Sequence, residues 1–216
     1  MDHDKDQSYV LFGTHRRDLA RMLLPIGALH KAQVREVAQK RGLPVYDKPD
    51  SQEICFVPDN DYAGLIRRRT PGALVPGDIV DPAGQVLGRH EGHQNFTIGQ
   101  RRGLGVAHSH PLYVIAKDAR ANTVTVAGPE RLLSLGLTAT GANWLTAPPV
   151  DAPRRCAVKT RYRGGLIPAS VTAPSADGLE VRFDQPQPAV APGQAVVCYD
   201  GQRVLGGGWI VAALPA

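Results

Sequence analysis

Ala195-Val196-Val197-Cys198-Tyr199 and, after a short turn, Arg203-Val204-Leu205-Gly206-Gly207-Gly208-Trp209-Ile210-Val211 are two apolar runs, and their reading decides the fold. Valine, isoleucine and aromatic residues favour strands, and each run ends in turn residues within strand length. Working back towards the N-terminus, four more such runs occupy residues 139–145, 155–162, 169–173 and 179–184. Six short strands at this spacing predict a small closed barrel.

Upstream the pattern changes. Residues 74–80, 85–87, 112–116 and 123–127 read as strands of a small β-rich domain, the last two joined as a hairpin through a turn at 119–122. Before Pro71 the period is helical. Residues 16–24 read as a helix stopped by Pro25, and residues 31–41 as a second with Val34, Val37 and Ala38 on one face. Gly42 stands where a left-handed C-cap is wanted, and residues 61–69 give a third helix. The expected fold class is α+β and multidomain, with boundaries near Pro58 and Pro129. The expected units are residues 1–57, 58–129 and 130–216.

Composition agrees. Gly 23 and Pro 18 are about a fifth of the 216 residues and aromatics only 6%, which fits a turn-rich, strand-rich chain and excludes a long coiled coil. A hydrophobic content of 43% is enough for real cores. No run of eighteen apolar residues occurs, and Met1-Asp2-His3-Asp4 is acidic where a secretory signal is basic, so a soluble cytoplasmic protein is expected, with no membrane partner. The net charge of +5 is a mild bias towards a polyanion. Most of it lies in residues 131–216, which carry 8 basic and 5 acidic groups.

Three cysteines at wide spacing do not describe a disulfide framework. Cys156 and Cys198 fall in expected strands and read as structural. Cys55, in Asp50-Ser51-Gln52-Glu53-Ile54-Cys55-Phe56, fits a small buried hydrophobe on composition alone; a functional thiol there needs nearby positive charge, and Lys48 is the only basic residue close in sequence. Both readings stay open at this level. His90-x-x-His93 and His108-x-His110 lack the further ligands of a zinc site, and no metal is expected.

Two basic stretches remain. Thr97-Ile98-Gly99-Gln100-Arg101-Arg102-Gly103-Leu104-Gly105 has no Lys-Ser/Thr of a phosphate loop and reads as a tight turn carrying arginines. In Lys159-Thr160-Arg161-Tyr162-Arg163, strand alternation would set three cations on one face beside an aromatic ring. That face fits either RNA contact or a charged outer barrel surface.

Lys5-Asp6-Gln7-Ser8-Tyr9, Ser51-Gln52-Glu53-Ile54-Cys55-Phe56, Gly88-Arg89-His90-Glu91-Gly92, residues 97–105, Arg161-Tyr162, Pro192-Gly193-Gln194-Ala195 and Gly206-Gly207-Gly208 together resemble, in order, the bacterial tRNA-specific 2-thiouridylase family. The resemblance runs from Lys5 to Ile210 and is to the C-terminal part of such an enzyme. It implies a helical tail of an α/β adenine-nucleotide hydrolase-like domain, then a β-rich central domain, then a C-terminal tRNA-binding β-barrel.

It further implies 2-thiolation of the wobble uridine in the tRNAs for Lys, Glu and Gln. ATP adenylates the base, and a cysteine persulfide, charged by a sulfur-carrier protein, then delivers sulfur. Cys55 matches the persulfide cysteine. Lys5, Asp6, Gln7, Arg161, Tyr162 and Gln194 match tRNA-contacting positions. The family's Ser-Gly-Gly-x-Asp-Ser loop for ATP and its other catalytic cysteine do not occur in these 216 residues. The expectation is therefore part of an ATP-dependent sulfurtransferase, inactive alone. The alternative is a truncated, non-catalytic tRNA-binding module.

Overall fold

The computed structural model describes residues 6–49, 57 and 61–216. Its C-terminal part, from Leu133 on, is the expected barrel. Strands β5 (Leu133–Trp144), β6 (Arg154–Lys159), β7 (Ile167–Thr172), β8 (Leu179–Pro188), β9 (Ala195–Asp200) and β10 (Arg203–Pro215) close in the order β10-β5-β8-β7-β6-β9. Every pairing is antiparallel. Leu137, Val158, Val171, Leu179, Val181, Val196, Leu205 and Ile210 fill the interior, which is how a barrel this small replaces a lumen with a core. The long β5 and β10 shift register at three places where they pair, and such bulges let one strand bend around the wall.

The middle of the chain forms a four-stranded sheet, β2-β1-β4-β3, from β1 (Gly77–Val80), β2 (Val86–His90), β3 (Tyr113–Asp118) and β4 (Thr123–Ala127). β1 runs parallel to β4 and antiparallel to β2. The β3–β4 hairpin turns as expected, with the Asp118 carboxylate accepting from the Arg120 and Ala121 N–H groups. Ile79, Phe96, Leu104, Leu112, Val114, Val124 and Val126 make a second core.

The helices are α1 (Ser8–Leu11), α2 (Arg16–Leu19), α3 (Lys31–Lys40) and α4 (Tyr62–Arg69). Gly42 has φ of +65°, the left-handed cap the sequence asks for. Asp61 caps α4, accepting from the Gly64 N–H at 2.7 Å. The first expected helix, however, ends at Leu19 and not at Leu24. Leu23 and Leu24 are exposed, and a single turn without an apolar surface to pack on is not propagated. No residue of the stretch 13–49 is buried, and Val37 on the apolar face of α3 is exposed. No helix among the described residues is long and apolar enough to cross a membrane.

Candidate nucleic-acid interface

All five residues of β9 from Ala195 to Tyr199 are buried. Val196 and Cys198 face the barrel core, while Ala195, Val197 and Tyr199 face outward and are covered by Tyr9 and Phe12 of the N-terminal segment. That accounts for the unbroken apolar run, since a strand buried on both faces has no reason to alternate. Gly207 makes room for the segment. A β-carbon there would stand 2.7 Å from the Phe12 ring, and Phe12 also meets Trp209 edge to face at 5.5 Å. Asn143 Nδ2 donates to the Phe12 and Thr14 carbonyls, so the chain's exit from α1 is tied down as well.

Around this seat the matched residues gather. The Asp6 carboxylate accepts from the Ser8 N–H at 2.8 Å and the Ser8 hydroxyl at 2.9 Å, which shapes the entry to α1. Gln7 Nε2 donates to the Tyr162 hydroxyl at 2.9 Å. The Tyr9 hydroxyl donates to the Ala195 carbonyl at 2.8 Å, and its ring meets Tyr162 edge to face at 6.0 Å. Gln194 is exposed and directly precedes Ala195, at the end of the 189–194 connection. The structure thus brings Asp6, Gln7, Arg161, Tyr162 and Gln194 to one place on the barrel wall. Lys5 and Cys55 lie outside the described residues.

One expectation is corrected. The strand read as 155–162 ends at Lys159, and Arg161, Tyr162 and Arg163 lie beyond it, with the Gly164 N–H donating to the Arg161 carbonyl at 3.0 Å. The cause is local: Thr160 to Gly165 holds no alternating apolar residue and finishes in two glycines, so nothing keeps it in the wall. Lys159, Arg161 and Arg163 therefore do not share a strand face. Lys159 instead sets its ammonium over the Tyr199 ring, 6.0 Å from the centroid. Arg161 and Tyr162 are exposed at the turn, a cation beside an aromatic plane.

Burial pushes the Tyr9 hydroxyl up to about 12, with Tyr199 beside it as the next cause. Burial likewise raises Tyr199. Both phenols are neutral at physiological pH and serve as hydrogen-bonding posts. Sequence reading missed Tyr9, Phe12, Tyr199 and Trp209 as parts of this surface, though the non-alternating β9 run is a signal that something covers its outer face.

The other two cysteines sit apart from this surface chemistry. Cys198 is buried in the barrel core, with the half-buried Cys156 packed against it from the adjacent β6. Hydrogen bonding to Cys198, and then the charges of Arg154 and Arg155, draw the Cys156 thiol below its ordinary value, while Cys198 is pushed up by Cys156 and by burial. Among the described residues no three His, Cys, Asp or Glu side chains come together as a metal site requires.

Three family matches tile the chain. Residues 1–59 match the tRNA methyl transferase HUP domain, residues 65–128 the tRNA methyl transferase PRC-barrel domain, and residues 134–210 the aminomethyltransferase beta-barrel domain. Among curated proteins, the tRNA-specific 2-thiouridylase MnmA of Geobacter metallireducens is 48% identical over 99% of this chain and 58% of its own length. The proteins of that name from Symbiobacterium thermophilum and Magnetococcus marinus are each 46% identical, over 99% and 97% of this chain and 55% and 59% of theirs. The chain thus spans less than two thirds of the length of these relatives.

Proposed function

The chain belongs to the tRNA-specific 2-thiouridylase family, and from that premise we propose that it is the tRNA-holding part of an ATP-dependent sulfurtransferase that makes 2-thiouridine at the wobble position. The observation that carries the reading is the Gln7–Tyr162 contact, which joins two matched tRNA positions 155 residues apart in sequence into one exposed surface. An aromatic ring, two amides and a cation are the groups that take up an unpaired base and its phosphate.

Within this reading Cys55 carries the persulfide. Its outer sulfur comes from a carrier persulfide by exchange; it attacks C2 of the adenylated uridine, and AMP leaves. The family's other catalytic cysteine, which is not among these 216 residues, then breaks the S–S bond by forming a disulfide with Cys55 and frees the 2-thiouridine. ATP is held by residues outside these 216, because no Ser-Gly-Gly-x-Asp-Ser run occurs among them, and no step of nucleotide chemistry is assigned to this chain. Taken alone, the chain binds tRNA and does not thiolate it. The substrates are the tRNAs for Lys, Glu and Gln, and the compartment is the cytoplasm.

The test has two arms. Binding of tRNA to the chain is measured across a salt series with the wild type and with Arg161→Ala. Removing one phosphate contact should weaken binding of different tRNAs about equally and make the salt slope shallower by about one unit. An unchanged slope would move the RNA surface elsewhere. In the second arm the chain is incubated with tRNA, ATP and a persulfide donor, and 2-thiouridine is sought by mass spectrometry. ATP-dependent product would overturn the assignment of nucleotide binding to residues outside the chain.

A further inference from the structure

The arginine-bearing loop at 97–105 takes no part in the interface described above, yet it is built with unusual care. The Gly99 N–H donates to Val114 O at 2.8 Å and the Val114 N–H to Gln100 O at 3.0 Å, fastening the loop to β3. Gln100 braces it from within, accepting from the Thr97 N–H and donating to the Arg102 carbonyl, each at 3.0 Å. Leu104 is anchored in the central core. Gly99, Gly103 and Gly105 have φ of +86°, +72° and +69°, left-handed conformations that let the backbone turn sharply between those anchors. Arg101 and Arg102 are left exposed on a fixed support, with no ion pair among the described residues.

Beside Arg101 opens a cavity of about 500 Å³, lined also by His108, His110 and the backbone at Gly103 and Gly105, with no carboxylate among the described residues of its wall. The His108 and His110 rings meet edge to face at 4.2 Å. The loop also reaches the barrel: a β-carbon on Gly99 would come 2.7 Å from the β-carbon of Ala189. Ala189 begins the 189–194 connection, and Gln194 ends it. The loop that carries both arginines therefore touches, at Gly99, one end of the connection whose other end is a matched tRNA position.

We propose that Arg101 and Arg102, with the His108–His110 cavity beside them, form a second RNA contact that holds backbone phosphates of the tRNA bound at the Gln7–Tyr162 surface. The proposal rests on the tRNA reading and extends it into the central domain. Guanidinium groups match phosphate oxygens in a two-pronged geometry, and a braced loop loses little freedom when it binds. An open hollow with Arg101 in its wall, Arg102 next to it in sequence and no carboxylate among the described lining residues suits a passing polyanionic chain better than an enclosed small phosphate ester.

The experiment is equilibrium binding of tRNA to the full chain across a salt series, comparing wild type, Arg101→Gln/Arg102→Gln and Arg161→Ala, with hydroxyl-radical footprints of each complex. Both arginines are exposed, so the double variant folds, which its circular dichroism checks. We expect about tenfold weaker binding near 0.1 M salt and a slope shallower by about 1.5 to 2 units. Protection should be lost at nucleotides other than those released by Arg161→Ala. His108→Ala/His110→Ala should weaken binding about threefold at the same nucleotides. Wild-type affinity and slope in the arginine double variant would overturn the proposal and leave the tRNA reading standing. No binding by the wild-type chain would overturn that reading, and this contact with it.

Discussion

Phe12 lies against Gly207 so closely that a β-carbon on the glycine would stand 2.7 Å from the ring and 2.5 Å from the Val196 carbonyl oxygen. Neither neighbour yields cheaply, one being a buried ring and the other backbone of the adjacent strand. Gly207→Ala should destabilise the barrel by about 1–3 kcal/mol. Phe12→Ala, which empties the seat instead of crowding it, should cost roughly 3–5 kcal/mol. Urea unfolding measures both. Limited trypsin digestion should show faster cleavage at Arg16 and Arg17 in each variant, and resistance equal to wild type would mean that this seat does not hold the segment.

Tyr162 separates binding from stability. Its hydroxyl makes a hydrogen bond between two exposed side chains, so Tyr162→Phe should change stability by no more than about 1 kcal/mol. Tyr162→Ala also removes the ring, and loss of one base-stacking platform should weaken tRNA binding about tenfold. Binding unaffected by the alanine variant would show that no base stacks there.

Alkali should loosen the segment before it melts the barrel. Burial lifts the Tyr9 phenol from 10 to about 12, so the folded state holds that proton more tightly than the unfolded chain does. The stabilisation is whole below pH 10 and disappears as pH rises from 10 to 12. Ultraviolet titration of the phenolates should lose its latest step in Tyr9→Phe, and the variant's stability should fall less steeply above pH 10. A wild-type chain in which every tyrosine ionises together near pH 10 would contradict the buried seat.

Thiol reactivity should divide the two barrel cysteines. With Cys55 replaced by serine, iodoacetamide near neutral pH should modify Cys156, whose thiol is drawn down by Cys198 and flanking arginines, well before Cys198, whose thiol is raised and buried. Peptide mapping by mass spectrometry reads the order. Equal rates in the folded chain would show that the barrel core opens as a unit.

Cys55 itself is tested in an enzyme that joins this chain to the part of its relatives that it does not span. Cys55→Ser should abolish sulfur transfer while sparing adenylation and tRNA binding, since a hydroxyl cannot hold sulfane sulfur. Cys156→Ser and Cys198→Ser should leave chemistry intact and cost stability, more at the buried Cys198. Thiolation surviving Cys55→Ser would remove that residue from the reaction.

The barrel was legible because each strand carries its own signal, apolar residues at strand period bounded by turns. Its edges were less so. β5 begins at Leu133, six residues before the apolar run suggests, because Leu133 and Ser134 are held by pairing with Pro188 and Gln187 and not by their own propensity. The turn at Arg161 and Tyr162 was hidden for the opposite reason: cations at alternate positions imitate a strand face where two glycines have already ended the strand. As for the candidate interface, Gln7, Tyr162 and Gln194 could be named from motifs while Phe12, Tyr199 and Trp209 could not, and the convergence of these residues was hidden. Nothing in the local sequence of Ser8-Tyr9 points to a carbonyl 186 residues away.

That separation also orders events during synthesis. Tyr9 leaves the ribosome 186 residues before the carbonyl it will bond. At translation speeds of 5–20 residues per second the segment waits roughly 10–40 s for its seat to be made. Phe12 and Tyr9 spend that interval without their cover, and Gln7 has no partner until the turn at Tyr162 has emerged. The surface around Tyr9 and Tyr162 is thus assembled only when the β9–β10 hairpin closes the wall.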